Sequence, residues 1–182
     1  SLKNYNAVIS VTPHIIRRLK SINPNTFMVT NYPIINKQKL YNRVNGRTIC
    51  FAGGITNFYS HHNILKAIAD IKDIKYILAG NGTKEYFEFL KSLPSWEKVD
   101  YRGQVSHSEV EEIYLQSNVG MVLNKSSQMK SEGSLGVIKL FEFMESGLPV
   151  ICTNFKLWKE IVDGYNCGIC VNPNNIEEIK NA

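Results

Sequence analysis

No stretch of this 182-residue chain is long and apolar enough to cross a bilayer, which takes about 20 consecutive apolar residues in a helix. No Asp-x-Asp occurs, so one common carboxylate clamp for a metal-bound diphosphate is missing. No G-x-G-x-x-G opens a helix, since Gly53-Gly54 is followed by no third glycine; this argues against a nicotinamide-dinucleotide enzyme. Cysteine is sparse, and four in a chain of this length do not make a disulfide framework. Cys167 and Cys170 form a C-x-x-C, but a zinc site needs a second pair, and Cys50 and Cys152 stand alone in the sequence. The text around Cys167 is strand-like, where a spacing of three sends side chains to opposite faces. Buried, reduced thiols in a reducing cytoplasm are expected. Basic clustering is also lacking. The net charge is +5, yet the sole adjacent pair is Arg17-Arg18. A nucleic-acid surface wants a basic stripe with stacking aromatics, so no nucleic-acid partner is expected. The balance suits an anionic ligand or an anionic membrane face.

What is present is a regular alternation. Short apolar strands are expected at 7–11, 27–30, 48–52, 75–79, 99–102, 119–123, 149–152 and 168–171. Helical patterns fall between them, at 13–20, 62–71, 84–93, 106–116, 137–146, 157–162 and from 176 onward. Thr12, Thr83 and Ser106 precede helices as caps, with Pro13 at a first helical position and Glu109 completing a capping box. Residues 34–47 are polar and pattern-poor and read as a linker. Strands alternating with helices imply βαβ units: an α/β, Rossmann-like, doubly wound parallel sheet with helices on both faces. Ligands of such sheets sit beyond the carboxyl ends of the strands. Glycine turns fall at three such ends: Gly53-Gly54, Gly80-Asn81-Gly82, and the loop 133–136.

The stretch 131–151, SEGSLGVIKLFEFMESGLPVI, is the most informative. A polar glycine loop leads into a helix that is apolar round most of its circumference, with Gly147 and Pro149 as stop signals. Lys139, Glu142 and Ser146 fall on one narrow stripe. A carboxylate on a mostly buried helix needs a partner. One reading is a Lys139–Glu142 pair facing solvent. The other is a stripe lining a cleft, where loop and helix amides meet an anion and Glu142 accepts bonds from hydroxyls of the same ligand. Phosphate at one end and a vicinal diol at the other describe a nucleotide or nucleotide sugar.

The run K-L-F-E-F-M-E-S-G-L-P-V-I resembles the most characteristic segment of family-4 GT-B glycosyltransferases, in which a helix glutamate holds the ribose of the sugar-nucleotide donor. The resemblance gives that role to Glu142. The family's second glutamate, eight positions earlier, touches the donor sugar; here the place is taken by Ser134, with Glu132 out of register. F-A-G-G-I at 51–55 and I-L-A-G-N-G at 77–82 are similar to the two turns whose amides face the diphosphate. D-Y-R-G-Q-V at 100–105 looks like the segment that reads the base, giving Gln104 and Val105. C-G-I-C-V-N-P at 167–173 is similar to the segment before the last helices. Where many members carry a diphosphate-gripping arginine and lysine, this chain has Gly54 and Tyr59. Lys139, or His61 and His62, would supply charge instead, although a solvated loop is the plainer reading of the paired histidines. Lys125 and Lys130 are further candidates that read more simply as surface lysines.

By this resemblance the donor-binding set is Gly53, Gly54, Gly80, Gln104, Val105, Ser134, Leu135, Gly136, Lys139 and Glu142. No cofactor and no metal are implied; the catalytic group is unassigned. Residues 1–33 resemble the tail of the family's N-terminal, acceptor-binding domain, and 48–182 its C-terminal, donor-binding domain. The chain begins Ser-Leu-Lys and ends within a helical pattern, so a piece of a longer protein is expected, one that binds donor without turning it over. The resemblance implies transfer from a UDP- or GDP-sugar to a saccharide or lipid-linked acceptor. It would be metal-independent and retaining, in bacterial surface-polysaccharide or lipopolysaccharide assembly, in the cytoplasm or at the inner membrane face. The rivals are a GT-B sugar-nucleotide 2-epimerase and a non-catalytic nucleotide-sugar-binding homologue.

Overall fold

The computed structural model describes residues 1–30, 32–34, 45–125 and 133–182. A small unit comes first: β1 (Val8–Ser10), helix α1 (Pro13–Lys20) and β2 (Thr26–Met28), the two strands pairing in parallel. The linker expected at 34–47 lies mostly outside the described residues. The main body begins with β3 (Arg47–Ala52), α2 (His61–Ile68), β4 (Ile74–Ala79), α3 (Lys84–Lys91), β5 (Val99–Gly103), α4 (His107–Leu115) and β6 (Val119–Val122). After it come α5 (Ile138–Glu145), β7 (Val150–Thr153), α6 (Lys156–Tyr165), β8 (Gly168–Val171) and α7 (Ile176–Asn181).

All six strands of the main sheet run parallel, in the order β5-β4-β3-β6-β7-β8. The chain winds outward from β3 through β4 to β5, then returns to the other side of β3 with β6. The order therefore reverses between β3 and β6, and ligands of doubly wound sheets bind at such a reversal.

Strand alternation builds two cores. Ile49, Phe51, Tyr76, Leu78 and Met121 face one side and pack with Ile64 and Leu65 of α2, Leu90 of α3 and Ile179 of α7. Cys50, Ala52, Ile77, Val122, Val150 and Cys152 face the other and pack with Tyr114 of α4, Leu140 and Phe143 of α5, and Trp158 and Val162 of α6. Gly120 lets α5 lie close on β6, since a Cβ there would sit 2.4 Å from the Phe143 ring.

Local signals behave as their chemistry requires. Ser106 and Glu109 form the full capping box, and Thr83 caps α3. Gly147 takes φ 64°, and bonds from Gly147 N to Met144 O (3.1 Å) and Leu148 N to Phe143 O (2.9 Å) close α5, the pairing of a Schellman end. Three expectations change. The Thr12 hydroxyl makes no capping bond; it is buried with no partner among the described residues. His61 and His62 are not a solvated loop. His61 opens α2 fully buried, its Nδ1 2.9 Å from the Tyr76 hydroxyl, with Phe51, Tyr59 and Tyr86 around it. His62, partly buried, meets the Tyr86 hydroxyl at 3.2 Å. Cys167 and Cys170 do not face opposite ways. Cys167 precedes β8, in the turn after left-handed Asn166 (φ 48°), and both thiols pack against the α6-side core.

Burial, with a smaller push from His62, lowers the His61 pKa to about 3; an unfolded histidine titrates near about 6.5. Between those values the unfolded chain binds a proton that the fold refuses. Stability is therefore complete above the upper value and is lost as pH falls through the window, by up to about 1.4 kcal/mol per pH unit. His62, also lowered chiefly by burial, acts in the same direction. Urea melts between pH 7 and 5 are expected to show this slope, and His61→Gln to flatten it. An unchanged slope in the variant would remove His61 as its source.

Candidate functional site

Beside the reversal between β3 and β6, at the carboxyl ends of β3, β4 and β5, lies a cavity of about 310 Å³, lined by residues that include Gly53, Gly54, Gly80, Asn81, Gln104, Val105 and Lys139. A larger cavity, about 590 Å³, lies at the opposite end, bounded by Arg47, Ile68, Ile74, Met121 and Ile179 among others. Its walls mix aliphatic side chains with Arg47, Thr48, Asn118 and Lys180, and it faces the amino ends of the strands. The smaller one lies at the carboxyl ends of the strands, where ligands of doubly wound sheets bind, so it is the candidate.

Backbone contact fastens the two glycine turns together. Gly53 N donates to Ala79 O (2.9 Å), Ile55 N to Asn81 O (2.7 Å) and Gly80 N to Gly103 O (2.6 Å). A Cβ on Gly80, at φ 124°, would stand 1.8 Å from Gly53 O. The expectation that the Gly53 and Gly80 amides face an anion therefore changes: both are engaged in holding the turns. Among the described residues the Gly54 amide has no acceptor. The Gly136 amide is also engaged, by Ser134 Oγ at 3.0 Å.

Helix α5 supplies the charged groups. The first amides of a helix have no intrahelical partners, and no N-cap side chain accepts from those of α5. Lys139, in its first turn, reaches over Gly53: its Cε lies 3.4 Å from where a Gly53 Cβ would be. Lys139 Nζ is 2.6 Å from Glu142 Oε2 and 3.3 Å from the Tyr114 hydroxyl, which itself donates to Glu142 Oε2 at 2.8 Å. The Lys139–Glu142 pair anticipated as solvent-facing does form, but both side chains are only 21% exposed. Burial, then the Glu142 carboxylate, pushes the Tyr114 hydroxyl far above its ordinary range, so it stays protonated and donates. One carboxylate oxygen is thus committed; Oε1 has no partner among the described residues. Glu142 sits one turn behind Lys139 rather than in the cavity wall. Ser146, at the end of α5, is buried, and its hydroxyl meets Glu145 at 3.4 Å.

The remaining candidates divide. Gln104 Oε1 accepts from Asn81 Nδ2 (2.8 Å) at the cavity rim. Ser134, Leu135 and Gly136 are outside the cavity wall. Trp158 Nε1 donates to Ser134 O (2.9 Å), and a Gly136 Cβ would lie 3.1 Å from Thr12 Cγ2, so the loop is held between α6 and the small first unit. Tyr32 stacks edge-on against Phe141 of α5 at 4.7 Å. Lys125 donates to Asn57 Oδ1 (2.7 Å); Lys130 and Glu132 lie outside the described residues. Among the described residues no three His, Cys, Asp or Glu side chains gather as a metal site.

The sequence profile of the glycosyl transferases group 1 family matches residues 34–182. The chain belongs to that family. Solved structures agree on the fold. HepE from Anabaena, in complex with UDP and glucose, superposes with a TM-score of 0.74 at 16% identity, over 96% of this chain and 52% of that one. TarM from S. aureus, a mutant in complex with Fondaparinux, alpha-GlcNAc-glycerol and UDP, gives 0.76 at 12% identity, over 99% and 37%. WaaG, a glycosyltransferase involved in lipopolysaccharide biosynthesis, gives 0.70 at 15% identity, over 95% and 51%. No curated protein sequence matches. The chain thus spans about half, or less, of these structures, and its parallel sheet is the Rossmann-like unit of their GT-B architecture. Among the described residues no helix is long and apolar enough to cross a membrane.

Tyr114 and Asn81 were missed by sequence reading. Asn81 was named only as a turn residue, and its bond to Gln104 joins two segments whose relation the sequence does not display. Tyr114 sits in a helix with no motif; only the three-dimensional crossing of α4 and α5 brings it to Glu142.

Proposed function

We propose that this chain is the donor-binding, C-terminal half of a glycosyltransferase that moves a sugar from a UDP- or GDP-sugar to a saccharide or lipid-linked acceptor. The supporting observation is the meeting of Lys139, the uncapped start of α5 and the glycine turns at one cavity, with Glu142 directly behind. The Gly54 amide, the first α5 amides and Lys139 receive the diphosphate, Glu142 Oε1 takes a ribose hydroxyl, and Gln104 and Val105 border the base. Charge developing on the leaving diphosphate is met by groups already in place, so the transfer needs no metal; it retains the anomeric configuration. Ser134 stands where the sugar-contacting glutamate of related enzymes would be.

Residues 48–182 form the donor domain, 34–47 the linker, and 1–33 the tail of an acceptor domain. Exposure of Ile9, Phe27 and Val29, at 66%, 57% and 53%, supports this division: a two-stranded sheet with so much bare apolar surface belongs to a larger sheet. The catalytic partner of the acceptor lies in that domain, and the chain alone binds donor without transfer. The +5 charge supports work at an anionic inner membrane face, in bacterial surface-polysaccharide or lipopolysaccharide assembly.

Calorimetric titration with UDP, GDP, UMP, UDP-sugars and NAD tests the reading. One nucleoside diphosphate is expected to bind selectively, and Lys139→Met to lose several-fold more affinity for UDP than for UMP. Binding of NAD alone would overturn the assignment. A full-length protein that binds UDP-sugar yet transfers nothing under broad acceptor screening would make it a non-catalytic homologue.

A further inference from the structure

The sequence presents Cys152 and Cys170 as separate residues, and the sheet makes them neighbours. They are register partners on parallel strands β7 and β8, with side chains on the core face beneath α6. Their sulfurs are 3.5 Å apart. Cys152 is completely buried and Cys170 partly exposed. Cys167 is turned elsewhere, its sulfur 3.9 Å from Val162 O, and Cys50 lies buried in another strand. The nucleotide cavity uses none of these thiols.

We propose that Cys152 and Cys170 are a modification site, a cross-strand dithiol that a peroxide closes to a disulfide. Neighbouring strands lie about 4.8 Å apart, inside the Cα separation of about 4.4–6.8 Å that a disulfide spans. The sulfurs need only a side-chain rotation and a small approach of the strands. The roles of the two thiols differ. The Cys152 thiol, donating to its neighbour, holds Cys170 below the usual thiol range, and the same bond with burial pushes Cys152 up. Cys170, the more accessible, is the nucleophile. Its thiolate attacks hydrogen peroxide; an S–O bond forms, the O–O bond breaks, and the departing hydroxide takes a proton to become water. The Cys152 sulfur then displaces the sulfenic oxygen. The S–S bond forms, the S–O bond breaks, and that oxygen leaves as a second water with the Cys152 proton. Two thiols lose two electrons and two protons, and one peroxide becomes two waters. Drawing the two Cβ atoms to about 3.8 Å pulls β7 and β8 together, so a dithiol reductant is expected to reopen the bridge in the folded protein.

The test is peptide mapping after hydrogen peroxide treatment of the native chain, alkylation in denaturant, and trypsin without reduction. Lys156 and Lys159 fall between the two cysteines, whereas Cys167 and Cys170 share one peptide. The expected product is the Cys152 peptide joined to the Cys167–Cys170 peptide and lighter by two hydrogens, with Cys50 and Cys167 alkylated; dithiothreitol returns all four thiols. Cys167→Ser keeps the link. Cys170→Ser, at the less buried position, abolishes it, and its melting temperature reports that it is folded. A link within the Cys167–Cys170 peptide, a link surviving in Cys170→Ser, or four alkylated thiols after peroxide would overturn the proposal.

Discussion

Glu142→Ala is expected to weaken UDP binding roughly 10- to 100-fold, because hydrogen bonds to a charged acceptor contribute about 1.5–3 kcal/mol and 1.4 kcal/mol is about tenfold in affinity. The geometry sets the direction. Oε2 already holds Lys139 and Tyr114, while Oε1 keeps its acceptor capacity for a diol. Alanine removes that acceptor and also frees Lys139, which no longer has a carboxylate fixing its amine over Gly53. Glu142→Gln separates the two effects. Its single amide oxygen still accepts from Tyr114, while an NH2 group replaces Oε1 and can only donate to a ribose hydroxyl, so its loss should be smaller than that of alanine. Isothermal titration of UDP, with a thermal melt to confirm folding, measures both. A dissociation constant unchanged in the alanine variant would sink the assignment of Glu142, and with it the donor site as drawn.

Short-range signals were legible in the sequence. The Ser106–Glu109 capping box, the Gly147 helix end and the βαβ alternation each depend on residues close in the chain, and the structure follows them. From the alternation alone came the parallel sheet and the carboxyl-end placement of the glycine turns. Partners distant in sequence were not legible. Glycine at 53 and 80 advertises a tight turn, but not that the Gly53 amide bonds to Ala79 and the Gly80 amide to Gly103, which occupies the amides that a turn in isolation would offer. A histidine pair at a helix start reads as polar surface until Tyr76, on a strand fifteen residues on, buries one of them. Lys139–Glu142 was visible as a spacing; its burial against Tyr114 was not. The loop 133–136 is the same case. Its glycines suggested free amides, and its anchor, Trp158, comes from a helix beyond the next strand.

Gly80→Ala is expected to be the most damaging single methyl in the main sheet body, costing roughly 3–5 kcal/mol of stability, the range where strain and a backbone clash act together. The added Cβ would lie 1.8 Å from Gly53 O and 2.8 Å from Gly53 C, and φ is 124°. A flexible side chain could swing aside, but these are main-chain atoms of the adjoining turn. Relief requires the two turns to part, which breaks Gly53 N to Ala79 O and Ile55 N to Asn81 O and reopens the Gly80 N to Gly103 O contact. The same movement spreads the cavity wall that Gly53, Gly80 and Lys139 share, so nucleotide affinity should fall together with stability. Two glycines serve as controls. At Gly54 the nearest atom to an added Cβ is Thr56 Cγ2 at 4.0 Å, so Gly54→Ala should shift stability by no more than about 0.5 kcal/mol. Gly164 lies within α6 with nothing within 4 Å of an added Cβ; alanine there should stabilise by about 0.5–1 kcal/mol through helix propensity. Urea unfolding of the three variants ranks them, and a Gly80→Ala protein within about 1 kcal/mol of the parent would mean the turns are not held by the close approach described.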